Sequence, residues 1–397
     1  MTETLPFEFY FSPEFGADPY SAYAGLRDKG PVHPIDFPPG SSAYLVLDYE
    51  YGRSLLGDPR LSKDLGNGPE WFRDMVSAGN PVLAYNMLMS DPPDHTRLRK
   101  AVGKAFTPRR VEQLRPRIQQ ITDELVDALP EDEADLIDAF AFPLPIIVIC
   151  ELLGVPTADR ASFREWSGTL IAPALSEEEA ARRHEANAAV REYFTRQIAL
   201  RRADPRDDLV TALATSPDLN ENELLSTLVL LLIAGHETTV NLIGNGMLAL
   251  LTHPGQLALL RERPELLPSA VEEFLRFDAP VERGTFRIAL EDIDVAGTTI
   301  PKGSFVHVSI AAADRDPRAF PEPDRLDITR EDNRHLAFGH GIHFCLGAPL
   351  ARVEGRIAFE TLLRRRPAIR LAVEPRELSW RFNGAVVRGL AALPVRF

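Results

Sequence analysis

Cysteine, basic charge and long apolar runs are all scarce in this chain. Two cysteines in 397 residues cannot form a disulfide framework, which predicts a protein of the reducing cytoplasm. The 44 basic and 58 acidic residues leave a net charge of −14, which argues against nucleic acid as a partner. No apolar run reaches the roughly 18 residues of a membrane span. The acidic, proline-bearing stretch 1–20 lacks the basic start and apolar centre of a signal peptide. We therefore predict no membrane partner.

Linkers, internal repeats and low-complexity blocks are also missing. The composition, 45% hydrophobic and 26% charged, is typical of a globular protein, and the 33 prolines are scattered. Strand-like alternation is confined to four segments, residues 43–47, 293–300, 305–310 and 385–397. We predict one mainly helical domain over residues 1–397, with a small β-rich region.

A single cysteine stands out within a glycine-rich stretch. The stretch reads Phe338-Gly339-His340-Gly341-Ile342-His343-Phe344-Cys345-Leu346-Gly347, and an apolar pattern of helical spacing follows it. The N–H groups and dipole at a helix N-terminus favour thiolate over thiol. Glycines let backbone approach a large flat ligand and adopt unusual dihedrals, and the phenylalanines offer an apolar wall. An activated, sheltered thiolate of this kind suits a metal macrocycle.

Two other interpretations of this cysteine compete with the macrocycle. Cys345 is an inert core residue in the first, as buried cysteines commonly are. The second is a zinc site formed by His335, His340, His343 and Cys345. Structural zinc sites usually combine several cysteines, however, and this chain has two. Cys150 lies in an apolar run without glycine, which indicates core packing.

The glycine-rich stretch resembles the haem-binding loop of the cytochrome P450 superfamily of haem-thiolate monooxygenases. That loop is Phe-x-x-Gly-x-x-x-Cys-x-Gly, matched here by Phe338, Gly341, Cys345 and Gly347. Further matching motifs extend from about residue 91 to the C-terminus. The resemblance implies a helical body with a small β-rich side region. It also implies that Cys345 is the axial ligand of haem b (iron protoporphyrin IX), with Phe338, Gly339 and Gly347 beside the haem, and that its thiolate favours O–O cleavage.

The strongest helical segment runs over residues 221–251. Asn220 can cap it, Glu223 completes a capping box, and His253-Pro254 ends it. The segment is apolar nearly all round, which predicts a buried helix.

Inside this helix lies Ala234-Gly235-His236-Glu237-Thr238-Thr239, whose glycine and threonines disfavour a regular helix. Such a conflict in a buried helix indicates a functional site, with a packing kink as the alternative. The stretch matches the resembled family's (Ala/Gly)-Gly-x-(Asp/Glu)-Thr motif. The resemblance implies that Ala234 and Gly235 leave room for dioxygen, that Thr238 hydrogen-bonds the activated oxygen, and that Glu237 relays protons.

Haem propionates need charged or hydrogen-bonding partners. His95 and Arg99 are four residues apart, on one face of a helix that opens after Pro92-Pro93. The resemblance implies that four side chains hold the propionates, namely His95, Arg99, Arg287 and His343. A solvated surface charge is the alternative for each of them.

The pattern Glu-x-x-Arg at Glu273 and Arg276 lies between the long helix and Cys345. The resemblance adds Arg325 as a third partner, so we predict a buried network of the three in which the charges are paired. Asp314 stands where many relatives carry Asn, and we assign it no role in the chemistry.

Apolar side chains at the family's variable positions are expected to contact a hydrophobic substrate, with core packing as the alternative. They are Leu83, Met87, Leu88, Leu231, Val281, Phe286 and Val386. The overall pattern is similar to actinobacterial enzymes that oxidise macrolides, other polyketides or steroid-like molecules.

Oxygen activation needs electrons from outside, and the resemblance implies NAD(P)H, a reductase and a ferredoxin. The expected docking face is the basic cluster Arg97, Lys100, Lys104, Arg109 and Arg110, unless these are only solvated charges. We predict a monomeric monooxygenase that hydroxylates or epoxidises a small molecule. The rivals are a peroxygenase, which does not need the Glu237-Thr238 pair, and a haem or zinc protein without catalysis.

Overall fold

The computed structural model describes residues 4–36, 40–79, 82–172, 174, 176–382 and 386–397. Helices dominate this part of the chain. In chain order, α1 to α15 are Pro13–Ala17, Pro19–Arg27, Tyr49–Leu56, Glu70–Gly79, Asp94–Gly103, Pro108–Asp127, Pro143–Leu153, Arg160–Ile171, Glu177–Ala203, Leu209–Ala214, Glu221–Thr252, Pro254–Glu262, Leu267–Phe277, Ile310–Ala313 and Ala348–Arg365. The predicted mainly helical architecture is confirmed.

The strands are short. In chain order, β1 to β12 are Val32–Ile35, Ala43–Val46, Leu61–Ser62, Glu133–Asp135, Arg287–Ala289, Ile293–Val295, Thr298–Ile300, Phe305–Val308, Arg370–Leu371, Trp380–Phe382, Arg388–Leu390 and Pro394–Arg396. They form a five-stranded sheet of order β1-β2-β8-β5-β3, a three-stranded sheet of order β4-β12-β9, and the pairs β6-β7 and β10-β11. All four segments with strand-like alternation contain strands, although position 385 lies outside the described residues.

The largest sheet mixes both strand directions. Strand β2 pairs antiparallel with β1 and parallel with β8, in a register that places Ala43 opposite Phe305. Strand β5 pairs antiparallel with β8, and Arg287 lies opposite Val306. This pairing places Arg287 at the start of a fully buried strand.

Helix α11 begins and ends close to its predicted limits. The Asn220 side chain accepts a hydrogen bond from the Glu223 N–H at 3.0 Å, and the Glu223 carboxylate accepts one from the Asn220 N–H at 2.9 Å. This is the predicted capping box, which satisfies two otherwise unpaired donors. The helix is long and apolar enough to cross a membrane, but 83% of its most apolar window is buried in the protein, as in the core helix of a soluble protein.

The described chain divides into two compact units, each built from separate segments. One contains residues 1–61, 113–144 and 238–397, and the other contains residues 62–112 and 145–237. We call them the cysteine unit and the capping unit, after Cys345 and the capped start of α11. The boundary crosses α11 between Glu237 and Thr238. The single-domain organisation over residues 1–397 stays a prediction.

Candidate active site

The Cys345 loop of the cysteine unit is closed by its own backbone. The Cys345 N–H donates to the Phe338 carbonyl at 2.8 Å, and the Gly339 N–H donates to the Leu336 carbonyl at 2.7 Å. Gly339 and Gly341 have φ of +73° and +76°, a region that side chains rarely adopt. A Cβ on Gly341 would also lie 2.9 Å from the Cα of Gly57. The sequence therefore correctly indicated special backbone at both glycines.

The cysteine itself is exposed and directly precedes a helix, whereas Cys150 is buried. Helix α15 begins at Ala348 with Gly347 as its N-cap. The unusual dihedral expected of the loop glycines is wrong for Gly347, whose φ of −81° any residue adopts. A Cβ on Gly347 would lie 3.9 Å from the Cys345 Sγ, so this glycine keeps the side of the sulfur open. The inert-core interpretation of Cys345 is wrong, because a core cysteine would be covered.

The two phenylalanines of the loop differ in burial. Phe338 is buried, whereas Phe344 is 42% exposed, and their ring centroids lie 6.2 Å apart. The Arg352 guanidinium lies over the Phe338 ring at 4.4 Å, a cation–π contact that anchors the ring to α15. The loop therefore presents an exposed apolar side chain beside the thiol instead of a closed wall.

The zinc interpretation does not fit the loop. Within the described ranges no group of three or more His, Cys, Asp or Glu side chains can hold a metal ion. His335 Nε2 instead lies 3.1 Å from Glu272, and its Nδ1 accepts the Ala337 N–H at 3.2 Å. The same carboxylate binds Arg352 at 2.7 and 2.8 Å, and its pKa falls to about 2 because hydrogen bonds from His335 and Arg352 outweigh its burial.

Arg287 is a buried cation in the same unit. Its two terminal nitrogens donate to the carbonyls of Thr285 and Leu56 at 3.2 and 3.3 Å. These contacts hold the guanidinium in place near the start of β5. His343 ends a single turn of 3-10 helix, Gly341–His343, and is half-buried.

The predicted Glu273 network is correct for two of its three members. Glu273 and Arg276 are fully buried and joined by two hydrogen bonds of 2.8 Å. Arg325 is wrong as the third side chain, because it is 56% exposed and binds Glu322. Arg330 takes its place, with Nε 3.2 Å from Glu273. Arg325 contributes only its backbone carbonyl, which accepts from Arg276 at 3.2 Å.

Asp314 is closer to the cysteine loop than its sequence position suggested. It is fully buried, and its Oδ1 accepts the Leu336 N–H at 2.7 Å, just before the loop closes. Its own carbonyl accepts from Arg276 at 3.0 Å. Desolvation raises the pKa of this carboxyl to about 7. Asp314 thus joins the Glu273–Arg276 pair to the loop, a role that the sequence analysis missed.

In the capping unit, α5 carries the predicted His95 and Arg99. His95 is buried and Arg99 is half-buried, one turn further along. On another face, Arg97 binds Asp94 and Glu223 at 2.7 Å each, and these hydrogen bonds raise the pKa of its guanidinium. The charge of Arg97 is therefore compensated, unlike what we expected for a member of the basic cluster.

The oxygen motif occupies one uncovered turn of an otherwise buried helix. Ala234 is exposed, and Gly235 and Thr238 are half-buried, whereas residues 224–233 are buried. A Cβ on Gly235 would lie 2.8 Å from the Ile149 side chain. The glycine thus serves the close packing of α7 on α11, in addition to any role in making room for a ligand.

His236, which the sequence analysis left without a role, is fully buried inside this motif. Its Nδ1 lies 2.7 Å from the Leu232 carbonyl, and its Nε2 lies 3.5 Å from Glu237 Oε1. In the sequence, only the place of His236 between Gly235 and Glu237 of the oxygen motif could have drawn attention to it.

Comparison with known proteins agrees with these motifs. A family model described as Cytochrome P450 matches residues 175–366. The cytochrome P450 monooxygenase PikC of Streptomyces venezuelae is 50% identical over 392 residues, covering 97% of this chain and 92% of that protein. The chain belongs to the cytochrome P450 superfamily. The 6-deoxyerythronolide B hydroxylase of Saccharopolyspora erythraea is 44% identical, with 97% of each chain covered.

Solved P450 structures have the same fold. CxnD, a P450 enzyme for C–S bond formation in chuangxinmycin biosynthesis, has a TM-score of 0.95 and is 48% identical, covering 100% of this chain and 97% of that one. The P450 fold and the haem-thiolate monooxygenase activity predicted from the motifs are thereby confirmed. This P450 depends on haem and O2, acts on a small molecule and receives electrons from a redox partner.

Residues of the cysteine unit fit a haem. An exposed thiol stands next to glycine-rich backbone and a helix N-terminus, and the buried Arg287 lies in the same unit. One turn of the buried helix α11 is uncovered at Ala234 and Thr238. A soft thiolate donor with an open side is the ligand type of haem-thiolate proteins.

Proposed function

We propose that this P450 hydroxylates or epoxidises a macrolide, another polyketide or a steroid-like molecule, as a cytoplasmic monomer in which residues 1–397 act as one domain. The names of its relatives support this substrate class. They include 6-deoxyerythronolide B hydroxylase, mycinamicin IV hydroxylase/epoxidase and vitamin D(3) 25-hydroxylase, which are 44%, 43% and 48% identical to this chain.

The observation that carries the proposal is the exposed Cys345 in its closed, glycine-rich loop at the start of α15. Cys345 would ligate the haem iron through its thiolate. His95, Arg99, Arg287 and His343 would hold the propionates. Phe338, Gly339, Gly347, Ala234 and Gly235 would pack beside the haem.

When bound, the haem supplies the iron chemistry that activates dioxygen. The protein positions the substrate, excludes water from the site and delivers protons. Thr238 donates its hydroxyl proton in a hydrogen bond toward the oxygen site, and Glu237 holds the proton that is delivered there. Helix α11 is suited to this work because its other faces are packed in the core, which keeps water from those faces.

Half-buried apolar side chains in each unit form the substrate-contacting set. In the cysteine unit they are Val281, Phe286 and Val386, and the Glu282 N–H donates to the Val386 carbonyl at 2.8 Å, which holds the two segments together. In the capping unit they are Leu83, Met87 and Leu88, together with the buried Leu231. The resemblance also places the region near residues 170–175 among the variable substrate positions, and positions 173 and 175 of it lie outside the described residues.

Electrons reach the haem from NAD(P)H through a reductase and a ferredoxin. Lys100, Lys104, Arg109 and Arg110 are exposed on α5, α6 and the turn between them, and form the basic docking face for an acidic ferredoxin. Arg97 is not part of this face, because Asp94 and Glu223 neutralise it.

The carbon-monoxide difference spectrum of the reduced protein tests the haem ligand. We expect the strongly red-shifted Soret band of thiolate-ligated haem, lost in Cys345→Ser and retained in Cys150→Ser. Cys150 is the matched control because burial raises the pKa of its thiol to about 12. A band that survives in Cys345→Ser overturns the assignment.

Product analysis tests the substrate class. The purified enzyme is incubated with 6-deoxyerythronolide B, mycinamicin IV or vitamin D3. The mixture also contains a surrogate ferredoxin with its reductase, NADPH and O2. A product heavier by one oxygen atom, labelled from ¹⁸O2, supports the proposal. Absence of oxidation across this panel, by enzyme with an intact Soret band, overturns the substrate class.

The role of Thr238 is tested by the coupling of NADPH consumption to product formation. Thr238→Ala is expected to consume NADPH and release hydrogen peroxide with little oxidised product. Thr252→Ala is the control, because that hydroxyl contacts only its own helix end: the Leu248 and Ala249 carbonyls accept from it at 2.7 and 3.2 Å, and His253 Nδ1 lies at 3.2 Å. Equal product per NADPH in Thr238→Ala and parent enzyme contradicts the role.

Charge reversal tests ferredoxin docking. Lys104→Glu should slow electron transfer and weaken its dependence on salt, because one attractive charge becomes repulsive. Lys29→Glu, an exposed lysine in the other unit, should leave both unchanged. Equal rates for the two variants at all salt concentrations contradict this docking face.

A further inference from the structure

The side-chain amide of Asn86 organises the segment between α4 and α5. Asn86 is fully buried, and its Oδ1 accepts the N–H groups of Leu88 and Met89 at 2.9 and 3.3 Å. It thereby caps the single turn of 3-10 helix Met87–Met89. On the other side, its Nδ2 donates to the Leu83 carbonyl at 2.8 Å. One buried side chain therefore shapes the backbone on both sides of itself.

The same amide attaches this loop, residues 83–89, to helix α11. Asn86 Nδ2 donates a second hydrogen bond to the Ser226 Oγ at 3.0 Å, and the Tyr85 N–H donates to the same oxygen at 3.1 Å. Ser226 is 1% exposed, so water hardly competes for these bonds. It lies eight residues before Ala234, about 12 Å along the helix axis. Both residues belong to the capping unit, so the two bonds fix the position of the loop relative to Ala234 within one compact unit.

The partners of the Asn86 amide also show why an asparagine stands there. Two N–H donors face Oδ1, and a carbonyl and a hydroxyl oxygen face Nδ2, so the hydrogen-bonding capacity of the amide is fully used. An aspartate could still cap the turn, but it would lose both donated bonds. It would also place a charge against the Leu83 carbonyl in a buried position. The attachment to α11 therefore needs an amide and not only a capping oxygen.

We propose that Asn86, through Ser226, is a positioning residue that determines which carbon atom of the substrate is oxidised. This inference rests on the proposed function, in which Leu83, Met87 and Leu88 contact the substrate. Apolar contacts are non-directional and do not hold a loop at one position along a helix, whereas hydrogen bonds are directional. Adjacent carbon atoms are only about 1.5 Å apart, so a shift of the loop by one bond length presents a different carbon to the oxygen site.

The first test identifies the oxidised carbon atoms, with the panel compound that the parent enzyme oxidises. Ser226→Ala keeps the cap of the turn but removes the attachment to α11. It should convert the parent's main product into a mixture of isomers oxidised at neighbouring carbon atoms. Asn86→Ala should do the same, and the double variant should match Asn86→Ala, because both changes break the same link.

The matched control for product identity is Thr211→Val. It removes a hydrogen bond to the Arg206 N–H, at 3.0 Å, elsewhere in the capping unit, and it should keep the parent's products. The parent's product ratio in Ser226→Ala with full haem content overturns the proposal. The same mixture of isomers in Thr211→Val also overturns it, because any destabilised capping unit would then have this effect.

The second test measures binding and needs no turnover. Imidazole and clotrimazole, a chlorinated triphenylmethyl imidazole, both coordinate haem iron through a ring nitrogen and shift the Soret band. Only clotrimazole is large enough to need the apolar side chains of the loop, as a substrate does. Asn86→Ala should weaken clotrimazole binding about tenfold, the equivalent of one or two hydrogen bonds, and imidazole binding less than about twofold. Equal losses for the two ligands, or no loss for either, overturn the proposal.

The outcomes separate this inference from the proposed function. A parent enzyme without the red-shifted Soret band refutes the function and this inference with it. A parent that oxidises none of the panel compounds refutes the substrate class, and the comparison of the two azoles then decides the role of Asn86 alone. If Asn86→Ala does not retain haem, Ser226→Ala takes its place in both measurements, because it leaves the cap of the turn intact.

Discussion

Two buried glutamates of the cysteine unit, Glu273 on α13 and Glu354 on α15, have opposite surroundings. Glu273 receives hydrogen bonds from the Arg276 and Arg330 guanidinium groups, the Asp327 N–H and the Asn333 amide. These donors compensate an ionised carboxylate, so burial and charge coexist there.

Glu354 is equally buried, at 1% exposure, but its Oε2 finds no hydrogen-bond partner among the residues that the structure describes. Desolvation raises the pKa of this carboxyl to about 8, so it stays protonated at neutral pH. The same side chain, buried to the same extent, is therefore ionised at position 273 and a neutral acid at position 354. The donors around it decide which.

Removing the compensated carboxylate should have the largest effect. Glu273→Ala leaves Arg276 buried without its counter-charge, and losing one partner of such a pair costs about 3–5 kcal/mol of unfolding free energy. We expect poor haem incorporation and a lower denaturant midpoint. Glu322→Ala is the control, since it removes an ion pair that is 69% exposed on its acidic side. Full haem content in Glu273→Ala contradicts a structural role for the pair.

Removing the uncompensated carboxyl group should raise the free energy of unfolding, whereas removing the compensated one lowers it. Because the pKa of Glu354 is about 8 in the folded protein against 4.5 normally, folding stability falls as pH rises through this window. Glu354→Gln should be more stable than the parent at pH 7–8, by ~3 kcal/mol, and should flatten the pH dependence. Glu360→Gln, exposed on the same helix, should change little. Parallel pH–stability curves for parent and Glu354→Gln would sink this interpretation.

Asp314 lies between these two extremes, with one oxygen bonded and the other unpartnered within the described residues. Its pKa of about 7 against 3.8 predicts that stability falls as pH rises between those values, although His335, Arg276 and Arg315 nearby favour its charge. Asp314→Asn keeps the acceptor for the Leu336 N–H and should gain ~3–4 kcal/mol at pH 7, comparable with Glu354→Gln. Urea unfolding at several pH values checks this, with exposed Asp332→Asn as control. A loss of stability at pH 7 would show that Asp314 is ionised in the folded protein, which contradicts this prediction.

The smallest effects on stability should distinguish Arg330, which binds Glu273, from Arg325, which the sequence predicted in its place. Arg330→Ala removes a charged hydrogen bond to Glu273 and should cost about 1.5 kcal/mol, whereas Arg325→Ala removes exposed pairs and should cost less than about 0.5 kcal/mol. Denaturant midpoints of the two variants at pH 7 measure the difference. Equal costs would restore Arg325 as a partner.

Much of the site was readable from local sequence. The Asn220–Glu223 capping box, the Glu273–Arg276 pair and the special glycines at 339 and 341 were all predicted, and the structure has them. Each depends on residues a few positions apart, whose relative geometry a helix or a tight loop already determines.

Other features depend on which distant segments come together. The choice of Arg330 over Arg325, the packing of Ile149 on Gly235 and the bond from the Leu336 N–H to Asp314 join separate parts of the chain. Burial and pKa depend on the same packing. The helices, their caps and the cysteine motif are therefore predictable from the chain alone, because they are encoded in local spacing. The charge state of each buried carboxyl group depends on tertiary packing, because residues far apart in the chain exclude water from it and bring donors to it.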